Sequence, residues 1–377
     1  MKALFLIFHG FSEANGISKK IHYQVHAFKE CGIDMKLCYL TNKNGYKARW
    51  VDNDILCDYG NGYKGKILKR IEFNSITRYA IKNNVDFVYM RFDHNANPFT
   101  VYMAWKMKQN GIKVVMEIPT YPYDQEYSRI STKIRMLWDK LWRQPLARQL
   151  FRIITFSDYE KIFGTPTLRI SNGIDFSQIT LKKSANNSTE LHLIGVAEIH
   201  YWHGFDRLVR GLDIYYKKET DCKVYFHIVG DFFGKKEKEA ILPLLKQNEI
   251  LRQYIILHGA KYGKELDDLF DNSDMAVGSL ARHRSGITTI KTLKNREYAA
   301  RGLAFIYSET DSDFDKQPYI MKVPANDKPI DVEDVILFYK QQKYSPQEIR
   351  NSVSPLSWKE QMKKVLTIMG YECKLEF

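Results

Sequence analysis

The segment KTLKNREYAARGLAFIYS, residues 291–308, carries residue types suited to binding an anion. Four charged residues gather where a helix is predicted to begin: Lys291, Lys294, Arg296 and Glu297. The N-terminus of a helix presents free N–H groups and a partial positive charge, and both favour phosphate groups. A carboxylate in this turn can also simply stabilise its own helix, so the sequence alone leaves two interpretations of Glu297.

A second candidate anion site follows the first predicted strand, in FHGFSEANGISKKI. Gly16 precedes a helix whose first turn would present free N–H groups, and Lys19 and Lys20 follow closely. Such a turn can hold a phosphate or the reacting end of a sugar. The alternative is an ordinary strand-to-helix loop with a glycine turn, and both interpretations stay open.

Short apolar runs alternate with helical patterns along the whole chain. The predicted strands are residues 3–8, 35–40, 87–92, 113–118, 152–157, 191–196, 224–229, 254–259, 275–280 and 303–308. Strands that alternate with amphipathic helices predict parallel sheets built from βαβ units. Two such series, one on each side of roughly residue 185, predict two doubly wound α/β domains.

The expected domains are residues 1–181 and 182–345, joined through the polar, turn-rich segment KKSANNSTE at 182–190. Residues 346–377 are predicted to form closing helices that can pack back on the first domain. Two facing Rossmann-like domains bind ligands in the cleft between them, beyond the carboxyl ends of the strands. The loops that follow strands are therefore where chemistry is expected.

The net charge of +13 is concentrated in one half of the chain. Residues 1–180 hold 27 Lys and Arg against 16 Asp and Glu, whereas residues 181–377 hold 30 against 28. A basic half favours nucleic acid, anionic lipid headgroups or a phosphorylated substrate as partner. We find no nucleic-acid-binding motif, and this disfavours the first of the three.

Cysteine usage and hydropathy favour a cytoplasmic protein. The five cysteines form no CxxC pair, which indicates reduced thiols and neither a disulfide framework nor a zinc site. The start, MKALFLIFHGF, is too short in apolar residues for a secretory signal, and no apolar run is long enough to span a membrane.

Residues 131–152 form a predicted basic amphipathic helix. Its apolar residues at helical spacing are Ile134, Leu137, Trp138, Leu141 and Trp142, and six basic residues accompany the single acidic Asp139. Pro145 is expected to kink or divide the helix. The pattern suits the surface of an anionic membrane, and it equally suits a helix that buries its stripe on a sheet.

Five ordered motifs resemble retaining glycosyltransferases of family 4, which have the GT-B fold. The segment RISNGIDFSQI, residues 169–179, resembles the "PNGID" element of that family and follows IITFSDYEKIFG, which resembles its preceding strand. The remaining motifs are IGVAEIHYWHGFDRLVRGL (194–212), FHIVGDF (226–232), LHGAKYGKELDDLFDNSDMAVGSL (257–280) and REYAARGLAFIYS (296–308). The resemblance thus covers about 150 residues in the family's order.

The resemblance implies a metal-independent glycosyltransferase that uses a UDP- or GDP-linked sugar as substrate and needs no cofactor. It places the donor in the second domain, where Glu297 matches the glutamate that accepts hydrogen bonds from the ribose hydroxyls. Lys294 fits a family variant, "pLK..E", and can neutralise a phosphate oxygen. Glu297, Lys294 and Arg207 are the candidate catalytic residues, and Gly16, His203 and Arg284 are further candidate donor-binding residues.

Three positions depart from the family pattern. Thr289 stands where many members carry a glutamate that contacts the donor sugar, and Pro119 stands where an acceptor-side histidine is expected. The family's phosphate-binding Arg and Lys are replaced by Val196 and His203. Arg207, His203 or Arg284 are the residues that can take over the missing charge.

The segment KVVMEIPTYPYDQE, residues 113–126, resembles variants that act on capsular or exopolysaccharide intermediates. Glu117, Tyr121, Tyr123 and Lys19 are therefore the candidate residues on the side of a saccharide or lipid-linked acceptor. Two other functions stay open: a catalytically inactive scaffold or binding subunit, and a nucleotide-sugar epimerase with the same fold.

Overall fold

A computed structural model describes residues 1–11, 16–43, 45–123, 130–183 and 189–373 of the chain. The chain divides into two compact units. The first unit comprises Met1–Ser171 and Trp358–Phe377, and the second unit comprises Asn172–Ser357.

Helices and strands alternate through both units. The helices are α1 (Gly16–Glu30), α2 (Gly62–Ile71), α3 (Asn74–Lys82), α4 (Pro98–Gln109), α5 (Ile130–Ala147), α6 (Phe205–Tyr215), α7 (Lys235–Gln247), α8 (Glu249–Tyr254), α9 (Gly263–Asp271), α10 (Leu293–Ala300), α11 (Val332–Lys340), α12 (Pro346–Ser352) and α13 (Trp358–Ile368). The strands are β1 (Lys2–Leu6), β2 (Asp34–Lys43), β3 (Tyr46–Val51), β4 (Asp54–Gly60), β5 (Phe87–Arg91), β6 (Lys113–Ile118), β7 (Arg152–Thr155), β8 (Lys161–Ile162), β9 (Thr165–Arg169), β10 (Glu190–Val196), β11 (Lys223–Val229), β12 (Ile255–Gly259), β13 (Met275–Val277), β14 (Ala304–Tyr307) and β15 (Ile320–Lys322). Short 3-10 turns occupy Tyr201–His203, Arg282–Ser285 and Ser354–Leu356.

The sheet of the first unit has the strand order β4-β3-β2-β1-β5-β6-β7-β9-β8. Strand β3 runs antiparallel to both of its neighbours and β8 runs antiparallel to β9, whereas the remaining pairs are parallel. Because side chains alternate across a strand, Phe5 packs on the layer of α1 and α13, while Leu4 and Leu6 pack on the layer of α3, α4 and α5. Both faces of the sheet are therefore covered.

The sheet of the second unit has the order β12-β11-β10-β13-β14-β15, and all its pairs are parallel. One apolar core surrounds it. The two doubly wound α/β sheets confirm the fold class that the alternation of apolar runs predicts.

All ten predicted strands are present, and most boundaries agree within two residues. Strands β3, β4, β8, β9 and β15 escape the prediction because they are short or form an antiparallel extension at the sheet edge. The predicted basic helix is present as α5, which continues through Pro145 and ends at Ala147. Pro145 does not divide it.

The division between the units falls at Ser171 and Asn172, earlier than the predicted boundary at 181 and 182. Hydrogen bonds hold the intervening segment in the second unit: Asn172 Nδ2 donates to the Lys291 carbonyl at 2.6 Å, and the Lys182 N–H donates to the Arg301 carbonyl at 2.9 Å. At the other end, α12 belongs to the second unit and α13 packs on α1 in the first. Part of the predicted linker, 184–188, lies outside the described residues.

Candidate functional site

The candidate site lies where the second sheet reverses its direction of growth. Strands β11 and β12 extend one way from β10, and β13, β14 and β15 extend the other way. Open α/β sheets bind ligands at the carboxyl edge, near such a point of reversal. The turns Tyr201–His203 and Arg282–Ser285 follow the two central strands, β10 and β13, at this edge.

The two loops touch each other closely at Gly204. The Leu280 N–H donates to the His203 carbonyl at 2.8 Å. Gly204 has φ +64°, and a Cβ atom there would lie 2.6 Å from the Cβ of Ala281. Any other residue would be strained in backbone conformation and would also push the loops apart. Glycine at this position therefore fixes His203 beside the loop that follows β13.

His203 is a neutral donor and not a cation. Its side chain is 7% exposed, and its Nδ1 accepts the His200 backbone N–H at 2.9 Å, which leaves the proton on Nε2 in the neutral tautomer. Burial lowers the pKa of His203 well below its ordinary value, and the charge of Lys294 lowers it further. His203 therefore cannot supply the positive charge that the sequence suggested for it.

Helix α10 is anchored to both central strands through Tyr298. The hydroxyl of Tyr298 accepts the Val196 N–H at 3.1 Å and donates to the Val277 carbonyl at 3.2 Å. Gly302, with φ +80°, ends the helix in the left-handed conformation that glycine adopts readily. Helix α10 is thereby held at the carboxyl ends of β10 and β13.

Glu297 presents a partly accessible carboxylate on α10. Its side chain is 36% exposed, and Oε1 accepts hydrogen bonds from Nε and Nη2 of Arg301, each at 3.0 Å. Arg301 in turn donates from Nη1 to Asp267 Oδ1 at 2.7 Å. These bonds orient the carboxylate of Glu297 and leave part of it open to a ligand.

Lys294 places a buried ammonium at the beginning of α10. Its Nζ atom is buried and has no hydrogen-bond partner, although the methylene stem keeps some exposure. Burial lowers the pKa of Lys294 to about 7, and the attraction of Glu309 offsets only part of that effect. A desolvated ammonium with free donors is the type of group that binds a phosphate oxygen or carries out proton transfer.

Lys294 Nζ belongs to a group of buried polar atoms that have no hydrogen-bond partner. In this part of the described chain they are Lys294 Nζ, Glu309 Oε2, Asn295 Oδ1, Ser279 Oγ and Thr292 Oγ1. They come from the loop after β13, the beginning of α10 and the end of β14. Folded proteins pair nearly all such atoms, so a group of them indicates a site that a ligand or water completes.

Sequence reasoning missed Glu309, Asn295 and Ser279. Glu309 directly follows the predicted strand LAFIYS, so the rule that chemistry lies in loops after strands was a usable signal for it. Thr289, at the position where the resemblance implies a carboxylate, forms a backbone bridge with Thr310. The segment that carries Thr289 therefore lies directly beside Glu309.

Arg207 and Arg284 have structural roles in the second unit. Arg207 is 1% exposed and donates from Nε to the Lys328 carbonyl at 2.7 Å and from Nη1 to the Pro324 carbonyl at 3.0 Å. Arg284 pairs with Asp206 and Asp327, each at 2.7 Å. Their donors tie loops together, so neither arginine replaces the charge missing at Val196.

Glu117 is a buried counter-ion in the first unit. It is fully buried and accepts from Lys20 Nζ at 3.3 Å, from Tyr89 at 2.7 Å, and from Arg91 and Gln24. Burial alone would raise the pKa of Glu117, but Lys20 and Arg91 lower it to about 2. The carboxylate is saturated and offers nothing free to an acceptor.

Of the other acceptor-side candidates, Tyr121 and Lys19 keep accessible surface. The Tyr123 hydroxyl is buried and donates to Asp139 Oδ2 at 2.7 Å. The Tyr121 ring is partly exposed and contacts Tyr159 edge-on, with centroids 4.8 Å apart. Lys19 is exposed on α1, which begins at Gly16, and residues 12–15 before it lie outside the described chain.

The apolar residues of α5 differ in their exposure to solvent. Leu137, Trp138 and Leu141 are 63%, 55% and 69% exposed, whereas Trp142 packs against the core. Asp139, the acidic residue of the helix, is fully buried. No described helix is both long and apolar enough to cross a bilayer.

Two further features bear on ligands. A cavity of about 580 Å³ opens beside the start of α6 and is lined by Tyr201, Gly204, Asp206 and Arg284. Arg284 and Asp206 are paired with each other there, so the unpartnered atoms at Lys294 are the stronger indication of a site. Among the described residues, no three His, Cys, Asp or Glu side chains are placed to hold a metal ion.

The chain is similar in structure to several glycosyltransferases along nearly its whole length. The match with a glycosyltransferase from Rickettsia africae covers 98% of this chain and 97% of that one, with 14% identity and a TM-score of 0.64. The match with the catalytic domain of starch synthase IV from Arabidopsis thaliana, bound to ADP and acarbose, covers 98% of both chains, with 10% identity and a TM-score of 0.60. The match with the trehalose-6-phosphate synthase OtsA also covers 98% of both chains, with 10% identity and a TM-score of 0.57.

No family model and no curated protein sequence matches the chain. At these identities the similarity establishes the fold and not the reaction. The fold is GT-B, built from two Rossmann-like parallel-sheet units, as the resemblance implied.

Proposed function

We propose that the protein is a glycosyltransferase that moves a sugar from a nucleotide-sugar donor to a saccharide or lipid-linked saccharide. The observation that carries this proposal is the buried, unpartnered Lys294 ammonium at the beginning of α10, near the point where the sheet of a GT-B unit reverses. The ammonium and the N-terminus of the helix suit the pyrophosphate of a UDP- or GDP-linked sugar.

Each residue of the site has a distinct role in the proposed reaction. The Glu297 carboxylate accepts hydrogen bonds from the ribose hydroxyls of the nucleotide. Lys294 neutralises the diphosphate as it leaves, and the Nε2–H of His203 donates a hydrogen bond to it. Placing these groups before the reaction stabilises the leaving-group charge. The resemblance to family 4 adds metal independence and retention at the anomeric carbon to this proposal.

The acceptor would bind the first unit. Tyr121 and Lys19 are the accessible candidates there. Transfer of a hexose to an acceptor in surface-polysaccharide biosynthesis agrees with the resemblance of the segment at 113–126. We include attachment to an anionic membrane surface through α5 in this proposal, because Leu137, Trp138 and Leu141 are exposed on a basic helix.

A binding subunit without turnover is the second candidate function. Val196 and neutral His203 leave the site with less positive charge than the family pattern, and Arg207 and Arg284 are occupied elsewhere. Such a subunit would bind the nucleotide sugar and would release no nucleoside diphosphate when acceptor is added.

Calorimetric titration with UDP and then GDP tests the donor site. We expect one nucleotide to bind and Glu297→Ala to weaken it about tenfold or more, since a charged hydrogen bond is worth about 1.5–3 kcal/mol. Glu239→Ala, an exposed glutamate on α7, is the matched control and should leave affinity unchanged. Equal affinity of wild type and Glu297→Ala for the nucleotide would refute the ribose role.

A further inference from the structure

Glu309 is buried, and one of its two carboxylate oxygens has no hydrogen-bond partner. Glu309 is 1% exposed, and its Oε1 accepts Asn295 Nδ2 at 3.2 Å, while Oε2 has no partner. Asn295 is fully buried, and its own Oδ1 is also unpartnered. Leaving a buried acceptor without a hydrogen bond costs about 1–3 kcal/mol, so two neighbouring acceptors of this kind indicate a place where a ligand or water binds.

Hydrogen bonds hold the backbone and one carboxylate oxygen of Glu309 in place. The Thr310 N–H donates to the Thr288 carbonyl at 2.8 Å, and Lys322 Nζ donates to the Glu309 carbonyl at 2.6 Å. Asn295 Nδ2 orients the carboxylate, and Asn295 Oδ1 lies so close to Gly278 that a Cβ atom there would be 3.0 Å from it. Elements on both sides therefore position these acceptors.

The chemistry of these atoms selects the kind of group that can fill them. Glu309 Oε2 and Asn295 Oδ1 only accept hydrogen bonds when the carboxylate is ionised, and Ser279 Oγ can donate or accept. Burial raises the pKa of Glu309, whereas the charge of Lys294 favours the ionised carboxylate. A phosphate brings acceptors and negative charge, and an ionised Glu309 would repel it. Hydroxyl groups donate and accept, so a neutral group with adjacent hydroxyls satisfies all three atoms.

The location of the acceptors connects them to the proposed donor site. The charge of Glu309 acts on Lys294, and Lys294 is the second residue of α10, directly before Asn295. A hydroxyl at Glu309 would thus lie next to the phosphate that Lys294 neutralises. In a nucleotide sugar, the group attached directly to the outer phosphate is the sugar ring.

We propose that Glu309, with Asn295 and Ser279, is the subsite that binds hydroxyl groups of the transferred sugar. Glu309 is then a specificity-determining residue, supplied from the end of β14. This inference rests on the proposed function, because it places the sugar of a nucleotide-sugar donor beside the nucleotide site.

The test compares affinity for the free nucleotide with affinity for the nucleotide sugar, using UDP with UDP-glucose and GDP with GDP-mannose. We expect Glu309→Gln to change the Kd of the free nucleotide less than twofold and to raise the Kd of the nucleotide sugar at least tenfold. Glu297→Ala should instead weaken both ligands alike. Equal effects of Glu309→Gln on both ligands, or no effect on either, would overturn the subsite.

Ser279→Ala is a second variant, and it tests the subsite even if Glu309→Gln fails to fold. It removes a hydroxyl that has no partner in the described structure, so its folding should be intact. We expect it to weaken the nucleotide sugar alone, by about threefold to tenfold. An unchanged Kd for the nucleotide sugar would exclude Ser279 from the subsite.

Failure of the proposed function gives a different result. If the wild type binds neither nucleotide, the proposed donor site is wrong, and methyl α-glucoside and methyl α-mannoside are then tested by saturation-transfer NMR at millimolar concentration. Binding of a glycoside that Glu309→Gln abolishes would retain the hydroxyl subsite. No binding would overturn it, leaving ordered water as the occupant.

Discussion

Replacing Lys294 with methionine should stabilise the second unit and weaken anion binding. Methionine matches the length of lysine but needs no hydrogen bond, whereas the Lys294 Nζ is buried without a partner. The pKa of Lys294 falls from 10.5 to about 7. A shift of this size corresponds to about 5 kcal/mol of unfavourable free energy when the ammonium is charged in both states.

The expected gain is smaller than that figure. Glu309 loses its nearby cation in Lys294→Met, and a carboxylate left alone in a buried place takes back part of the stabilisation. We therefore expect a net gain of about 1–3 kcal/mol in the unfolding free energy. Affinity for the nucleotide should fall at the same time, which is the usual conflict between stability and function at a binding site.

The gain should depend on pH in a defined direction. The unfolded chain binds the Lys294 proton up to its ordinary pKa of 10.5, while the folded protein releases it near 7. Wild-type stability therefore rises with pH between these values, and the penalty is complete below about pH 7. The gain from Lys294→Met should be about 2 kcal/mol larger at about pH 6.5 than at about pH 8.5.

Hydrogen exchange of the buried amides in β13 and β14 measures this effect within the second unit. The control is Lys291→Met, because Lys291 lies in the same segment but faces Asp313 at 3.6 Å. That variant loses an ion pair and should gain no stability. Faster exchange in Lys294→Met than in wild type at about pH 6.5 would show that the ammonium is satisfied in the folded protein, and the reasoning would fail.

Two other predictions concern the membrane surface and acid stability. Trp138→Ser with Leu141→Ser should release the protein from vesicles containing anionic lipid without unfolding it, because both side chains are exposed; co-sedimentation equal to wild type would contradict α5 attachment. Burial and the neighbouring His192 and His258 lower the pKa of His227 to about 4. As the pH falls, the unfolded chain therefore binds a proton at His227 at a higher pH than the folded protein does. The unfolding free energy should fall by about 1 kcal/mol between about pH 6.5 and about pH 5, after allowance for the partial exposure of the side chain. His227→Gln should remove this loss, as measured by urea unfolding.

The alternation of apolar runs with helical patterns was enough to predict both sheets. Buried parallel strands need continuous apolar residues, so runs such as KVVMEI and LHLIGV are visible in the sequence without knowledge of their neighbours. Strands β3 and β4 carry mixed residues such as Lys47 and Asp58, and they become strands only through the pairing of β3 with β2 and of β4 with β3. Their local pattern gives no comparable signal.

The candidate site could be predicted in part. The sequence indicated Lys294 and Glu297 because charged residues at the beginning of a helix form a local pattern. It could not distinguish a free arginine from a structural one: Arg207 looks available in the sequence, yet its partners are carbonyls far along the chain, at Pro324 and Lys328. Glu117 was an acceptor-side candidate because the segment 113–126 resembles a family variant, and the structure shows it as a buried counter-ion of Lys20 and Arg91.

The sequence by itself determined the class of fold and the position of the helix that begins at Leu293, since both depend on patterns within a few residues. Only the tertiary structure decided which polar groups remain without partners. Glu309 and Ser279 lie 30 positions apart, and they form one buried group because β13 and β14 pair side by side. Burial and hydrogen-bond satisfaction depend on every element packed around an atom, so they cannot be derived from local pattern.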